Sequence, residues 1–278
     1  MFIKNSKPES IWKCHSLLGE GTLWVKKLNL IIFLDIKKKR ILILNKKTKK
    51  KKILKIDKEI GFISYIKNKY FILGLKSEIR IVKLKSLKKI FSLRIEEEKP
   101  NNRINDGKID PSGKLWFGTM DNLEKKKTGS LYCLDQFLQL HKVDSGYYIP
   151  NGPAFLNKNN FYHTDSKKKI IYKIKVNNNL KIIDKKIFIK HSKLDGTPDG
   201  MITDSKNNLW VCYFNRAKIS VFNLYGKKVH EIKFPAKNIT NCTFGGNGNR
   251  EVFVSTARKG MSNNELKKFP LSGNLFKF

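Results

Sequence analysis

Four polar residues, Glu20, Asn105, Asn151 and Asp199, each stand ten residues ahead of a short apolar or aromatic run. Those runs are anchored at Leu30, Leu115, Phe161 and Leu209. Glu20, Asn151 and Asp199 offer two carboxylates and one amide oxygen. All-oxygen donors of this kind suit hard divalent cations such as Ca²⁺, Mg²⁺ or Mn²⁺. Three protein donors also leave positions open for water and substrate, as a catalytic metal requires. Arg103 stands two residues before Asn105. Strand alternation puts both on one face, where their donors can hold a carbonyl or sugar hydroxyls. Any one Asn or Asp before a glycine is also a good turn former. The shared offset is what lifts this set above turn chemistry.

The elements that must position these residues repeat. Phe71 and Val252 complete a series of six anchors, spaced by 41, 44, 46, 48 and 43 residues. Each anchor opens a strand-like run after a polar turn, as in "DPSGKLWFGTM" and "DSKNNLWVCYF". The period is that of a four-stranded propeller blade. Further alternating runs follow at 40–45, 79–84, 129–135, 170–176 and 218–224, which fit strands packed against a neighbouring blade. Asn, Gly, Asp and Lys clusters separate the runs as turns, and no stretch holds a helical period. The expectation is an all-β, six-bladed β-propeller spanning 1–278 as one domain, with the anchors in equivalent second strands. Segment 273–278 then pairs with residues near 11–13 to close the ring. The residues ten before each anchor open the innermost strands and meet at the mouth of the central tunnel. Blade two carries Gly61 at this position, and blade six carries Cys242 beside Asn241.

Composition narrows the alternatives. Hydrophobic residues make up 40% of the chain, enough for a sizeable core. No apolar run approaches the roughly 20 residues of a membrane span. The start, MFIKNSKPES, has no apolar stretch behind its charges, so no secretory signal is expected. Four scattered cysteines without a CxxC pair fit a reduced, cytoplasmic protein. The formal net charge is +35, a value that raises nucleic acid or an anionic surface as partner. Lysine supplies nearly all of it, and Ile, Asn, Lys and Phe, which have A/T-rich codons, are all abundant. A base-composition bias in the source explains the excess, and arginine, the residue suited to bidentate phosphate and guanine contacts, is scarce. No partner nucleic acid or membrane is therefore expected. There is no GxSxG elbow, P-loop or GxGxxG, and the histidines show neither HxH nor HExxH spacing.

The segments "LLGEGTLWVKKLNLIIFLDI", "RINDGKIDPSGKLWFGTM", "TGSLYCLD", "IPNGPAFLNKNNFYHTDS", "TPDGMITDSKNNLWVCYFN" and "NCTFGGNGNREVFVSTA" follow one another in order. Together they resemble the gluconolactonase/regucalcin (senescence marker protein) family over nearly the whole chain. The resemblance implies a six-bladed propeller with one divalent metal, Ca, Zn, Mn or Mg. By motif position it places metal ligands on Glu20, Asn151 and Asp199, and a general base on Asp199. Substrate contacts fall on Arg103 and Asn105, and on an acidic residue after "GTM", where Asp121 and Glu124 both stand and Glu124 is preferred. The implied reaction is hydrolysis of a small sugar lactone, an aldonolactone, to its aldonic acid. The competing expectations are a calcium-binding propeller without turnover and a basic nucleic-acid scaffold.

Overall fold

A computed structural model describes residues 7–278; the amino-terminal expectation, as far as it concerns residues 1–6, lies outside them. Six antiparallel four-stranded sheets surround one axis. Their innermost strands are Gly19–Val25, Ile60–Tyr65, Asn102–Ile109, Pro150–Phe155, Thr197–Thr203 and Asn238–Gly245. The second strands are Leu30–Asp35, Tyr70–Leu75, Leu115–Asp121, Asn160–Asp165, Leu209–Phe214 and Glu251–Ala257. All six anchors lie in this second layer, at or next to its first residue. Blade six closes the ring. Its third strand, Leu275–Lys277, pairs with the outermost strand, Glu9–Trp12, through Ser10 opposite Phe276 and Trp12 opposite Leu275.

The core is divided among the blade interfaces. One apolar cluster joins blades one and two through Ile32, Leu34, Phe71 and Leu73. Others follow around the ring, with Phe62 against Phe117, Trp116 against Phe161, Val211 with Met201 against Tyr162, and Trp210 near Val254. Phe33 and Phe253 join blade one back to blade six. Neighbouring residues of a second strand therefore face opposite blades, as Trp116 and Phe117 do. These strands are buried on both faces, and they read as continuous apolar runs. The alternating pattern is confined to strands farther out.

Lysines occupy the outermost strands of blades one to five, at Lys51–Lys55, Lys88–Arg94, Leu140–Tyr147, Ile182–Lys190 and Lys228–Lys233. They are spread around the ring. The only α-helix among the described residues is Asn263–Lys268, started by a capping box between Ser262 and Glu265. Among the described residues no helix is long and apolar enough to cross a membrane. The four cysteines carry free thiols.

Candidate active site

Each innermost strand begins at the upper end of the tunnel, and each second strand ends there. The two kinds of chain end together build one cavity. Glu20, Arg103, Asn105, Asn151 and Asp199 enter it from the first kind, and Glu124 and Lys259 from loops that follow the second. Its volume is ≈ 180 Å³.

A repeated backbone irregularity aims these side chains. The pairing between innermost and second strand shifts register after Glu20, after Ile104, after Asn151 and after Pro198. Blades two and six shift at the matching place, after Ile60 and after Ile239. A bulge bends the strand and re-aims the side chains beside it, here toward the axis. Blade two supplies no donor because there is no room for one. A Cβ built on Gly61 would lie 2.2 Å from the Asn105 carbonyl oxygen and 2.7 Å from that of Ile104.

Arg103 and Asn105 share the cavity as alternation requires, and they touch. Arg103 Nη1 donates to Asn105 Oδ1 at 2.8 Å and to the Ile104 carbonyl at 3.1 Å. Asn105 Nδ2 in turn donates to Asn151 Oδ1 at 3.0 Å and to the Pro150 carbonyl at 2.8 Å. Asn151 Nδ2 donates to Ser166 Oγ at 2.8 Å. One hydrogen-bonded chain thus runs from blade three to blade four and fixes the amide orientation of Asn151, with its oxygen turned away from Ser166. Asn105 is more engaged with protein than a free substrate contact would be.

Glu20 and Asp199 are buried, at 9% and 8% exposure. Burial first, then repulsion from neighbouring carboxylates, holds both carboxyls well above their usual range; Asp199 and Asp106 act on Glu20, and Asp106 and Glu124 act on Asp199. Glu20 Oε2 accepts from the Gly21 amide at 3.2 Å. Among the described residues neither carboxylate has a Lys or Arg within ion-pair distance. Arg103 offsets Glu20 and Lys259 offsets Asp199 only in part, and two buried anions so weakly compensated are costly. Their environment, with Asn151 lining the same cavity, fits a hard divalent cation. Among the described residues no group of three or more His, Cys, Asp or Glu could hold a metal.

Of the two acidic residues after "GTM", Glu124 lines the cavity and Asp121 does not. Asp121 instead caps its own loop, accepting from the amides of Leu123, Lys125 and Lys126 at 3.3, 2.9 and 2.9 Å. Two charged residues escaped the sequence reading. Asp106 is a buried carboxylate held by the amides of Gly107 at 2.8 Å and Gly152 at 3.0 Å. Lys259 reaches the cavity from the loop after Glu251–Ala257. No single offset marks it: Ile36, Glu124, Ser166, Phe214 and Lys259 follow their anchors by five to nine residues, so the repeat signals only that the loop after each second strand reaches the cavity.

Comparison with known proteins agrees with this architecture. Regucalcin from Xenopus laevis is 29% identical over 271 residues, covering 94% of this chain and 90% of the relative. A calcium-binding regucalcin from Agrobacterium tumefaciens superimposes with a TM-score of 0.92 at 20% identity, covering 98% of this chain and 93% of the other. A gluconolactonase from Xanthomonas campestris gives 0.79 at 17% identity, covering 97% and 88%. The description of one family matches residues 18–258. That stretch runs from the first cavity residue of blade one to the loop carrying Lys259, and on that match the chain belongs to the SMP-30/Gluconolactonase/LRE-like family.

Proposed function

We propose that this chain hydrolyses a sugar lactone of the aldonolactone type, with one divalent cation held by Glu20, Asn151 and Asp199. The observation that carries the reading is the pair of buried carboxylates, only partly offset by Arg103 and Lys259, in one solvent-reached cavity. Membership of a family with a gluconolactonase among its structural neighbours supports it. When bound, a divalent cation polarises a carbonyl as a Lewis acid.

The remaining work falls to the chain's own residues. The Asp199 carboxylate accepts a proton from the attacking water as general base. The water oxygen bonds to the lactone carbonyl carbon, the ring C–O bond breaks, and the ring oxygen leaves as a hydroxyl carrying the proton that Asp199 took from the water. Arg103 is a fixed cation aimed at the oxygen that gains charge. Its Nε is buried without a protein partner, so the guanidinium is not used up by its bonds to Asn105 and Ile104. Asn105 ties Arg103 to Asn151 and positions both. Glu124 accepts from sugar hydroxyls at the mouth.

The test is elemental analysis of the purified protein joined to a panel of sugar lactones with a pH indicator. One equivalent of cation and acid release that stops on chelation are expected. Full hydrolysis by cation-free protein overturns the metal-dependent reading. Stoichiometric cation with no acid release from any lactone favours a calcium-binding role, which the Agrobacterium neighbour's description supports.

A further inference from the structure

The charges at the mouth of the cavity differ from those deeper in. Glu20, Asn151 and Asp199 are nearly inaccessible, whereas the side chains of Lys259 and Glu124 are 34% and 36% exposed. The two form an ion pair across residues 135 apart in sequence, from the blade-six loop to the blade-three loop. The backbone of Lys259 is pinned on both sides. Its amide donates to the Leu17 carbonyl at 2.8 Å, and its carbonyl accepts from Asn238 Nδ2 at 3.1 Å. A second ammonium stands close by. Lys167 Nζ donates to the Glu124 carbonyl at 2.6 Å and lies 4.8 Å from the centroid of the Tyr148 ring.

The charge balance of the wall points outward. Its acids are Glu20, Glu124 and Asp199, and its bases are Arg103 and Lys259; behind it the buried Asp106, which also acts on Glu20 and Asp199, is offset by Lys108. A divalent cation on Glu20 and Asp199 leaves Glu124 alone to face Arg103 and Lys259. The loaded cavity then has spare positive charge, and the cation of its wall that stands at the exposed mouth is Lys259, which a ligand anion would share with Glu124. Resting on the lactonase reading, we infer that the preferred substrate is an anionic sugar lactone, whose acidic group lies far from the lactone carbonyl and is bound by Lys259. Phosphate and carboxylate are both acceptors for an ammonium. The net charge of +35 adds long-range steering of such a ligand. One lysine among so many barely alters that field, so its removal isolates the local contact.

The experiment compares glucono-δ-lactone, its 6-phosphate and a lactone of glucaric acid on wild type, Lys259→Met, Glu124→Gln and the double variant. Gluconate and 6-phosphogluconate binding to the calcium-loaded proteins is measured by calorimetry in parallel. Wild type should prefer at least one anionic lactone about tenfold in kcat/KM, the size of one charge-assisted contact. Lys259→Met should cut that ratio about tenfold, and Glu124→Gln, which frees the ammonium, should keep or raise it. The double variant should lose it again. The phosphate and carboxylate arms show which anion is read. A wild-type ratio near one, or an equal ratio in Glu124→Gln and the double variant, overturns the inference while lactone hydrolysis stands. If no lactone is hydrolysed but 6-phosphogluconate binds through Lys259, the lactonase reading falls and the anion site survives. If neither occurs, both fall.

Discussion

At the upper end of the tunnel, Glu20, Arg103, Asp199 and Lys259 face a cavity of ≈ 180 Å³. At the lower end, Leu23, Trp24, Phe62, Tyr65 and Ile109 face one of ≈ 340 Å³. The same innermost strands contribute to both. The charged residues of the lower wall, Asp106 and Lys108, already have protein partners. Asp106 takes two amides, and Lys108 Nζ donates to the Met201 carbonyl. The upper carboxylates Glu20 and Asp199 are compensated less: one amide, that of Gly21, reaches Glu20, no ion pair to either is formed among the described residues, and burial holds both carboxyls well above their usual range. The larger cavity is therefore the less reactive one. What marks the upper end is buried charge that the protein matches only in part, which leaves a ligand something to complete.

The strongest attempt to break this contrast is Asp199→Asn. It removes a proposed base and a ligand charge together, so lactone turnover should fall by about 10³-fold or more. Thermal stability should hold or rise, because a buried repulsive charge disappears. Near-normal hydrolysis with full metal content would make the upper ring mere turn chemistry. Phe62→Ala is the lower-end counterpart. Phe62 is 1% exposed and packs at 6.2 Å from Phe117, so its loss should cost about 3–5 kcal/mol of stability. Metal stoichiometry, read by elemental analysis on the folded fraction, should not change. If metal is lost along with stability, the two ends are not separable. Glu20→Gln sharpens the upper end alone. Removing one ligand charge should weaken cation affinity by roughly tenfold or more, measured by titration, with the melting curve of the metal-free protein little altered.

A separate effect concerns pH and lies away from both ends. His163 is fully buried beside Tyr147, with neither ring nitrogen hydrogen-bonded. Burial pulls its pKa from the ordinary 6.5 down to about 3. Unfolding then takes up a proton between those values, so stability is full above about 6.5 and falls as pH drops toward 3. The slope from this residue is about 1.4 kcal/mol per pH unit within the window. His163→Phe should remove that component, leaving a flatter loss of stability between pH 6 and pH 4 in denaturant titrations. An unchanged acid profile would show that the carboxylates of the tunnel control it.

Much of this molecule was legible because a propeller blade is local. A strand, a polar turn and an apolar partner strand recur within one blade, so the period of the anchors gave the blade count, the second strands and the closing pair. The ten-residue offset reached the upper cavity because every blade begins its innermost strand at the same end. What the tertiary structure decided depends on approaches between blades. Gly61 lacks a side chain because the carbonyls of Ile104 and Asn105 occupy the space, which its own blade does not reveal. Glu124, and not Asp121, faces the cavity because the loop turns back on the Asp121 carboxylate. Asp106 became part of the site's electrostatics because the closed ring brings it close enough to repel Glu20 of blade one and Asp199 of blade five. Lys259 reached the mouth because blade six lies across from Glu124, a juxtaposition of residues 135 apart that only the closed ring creates.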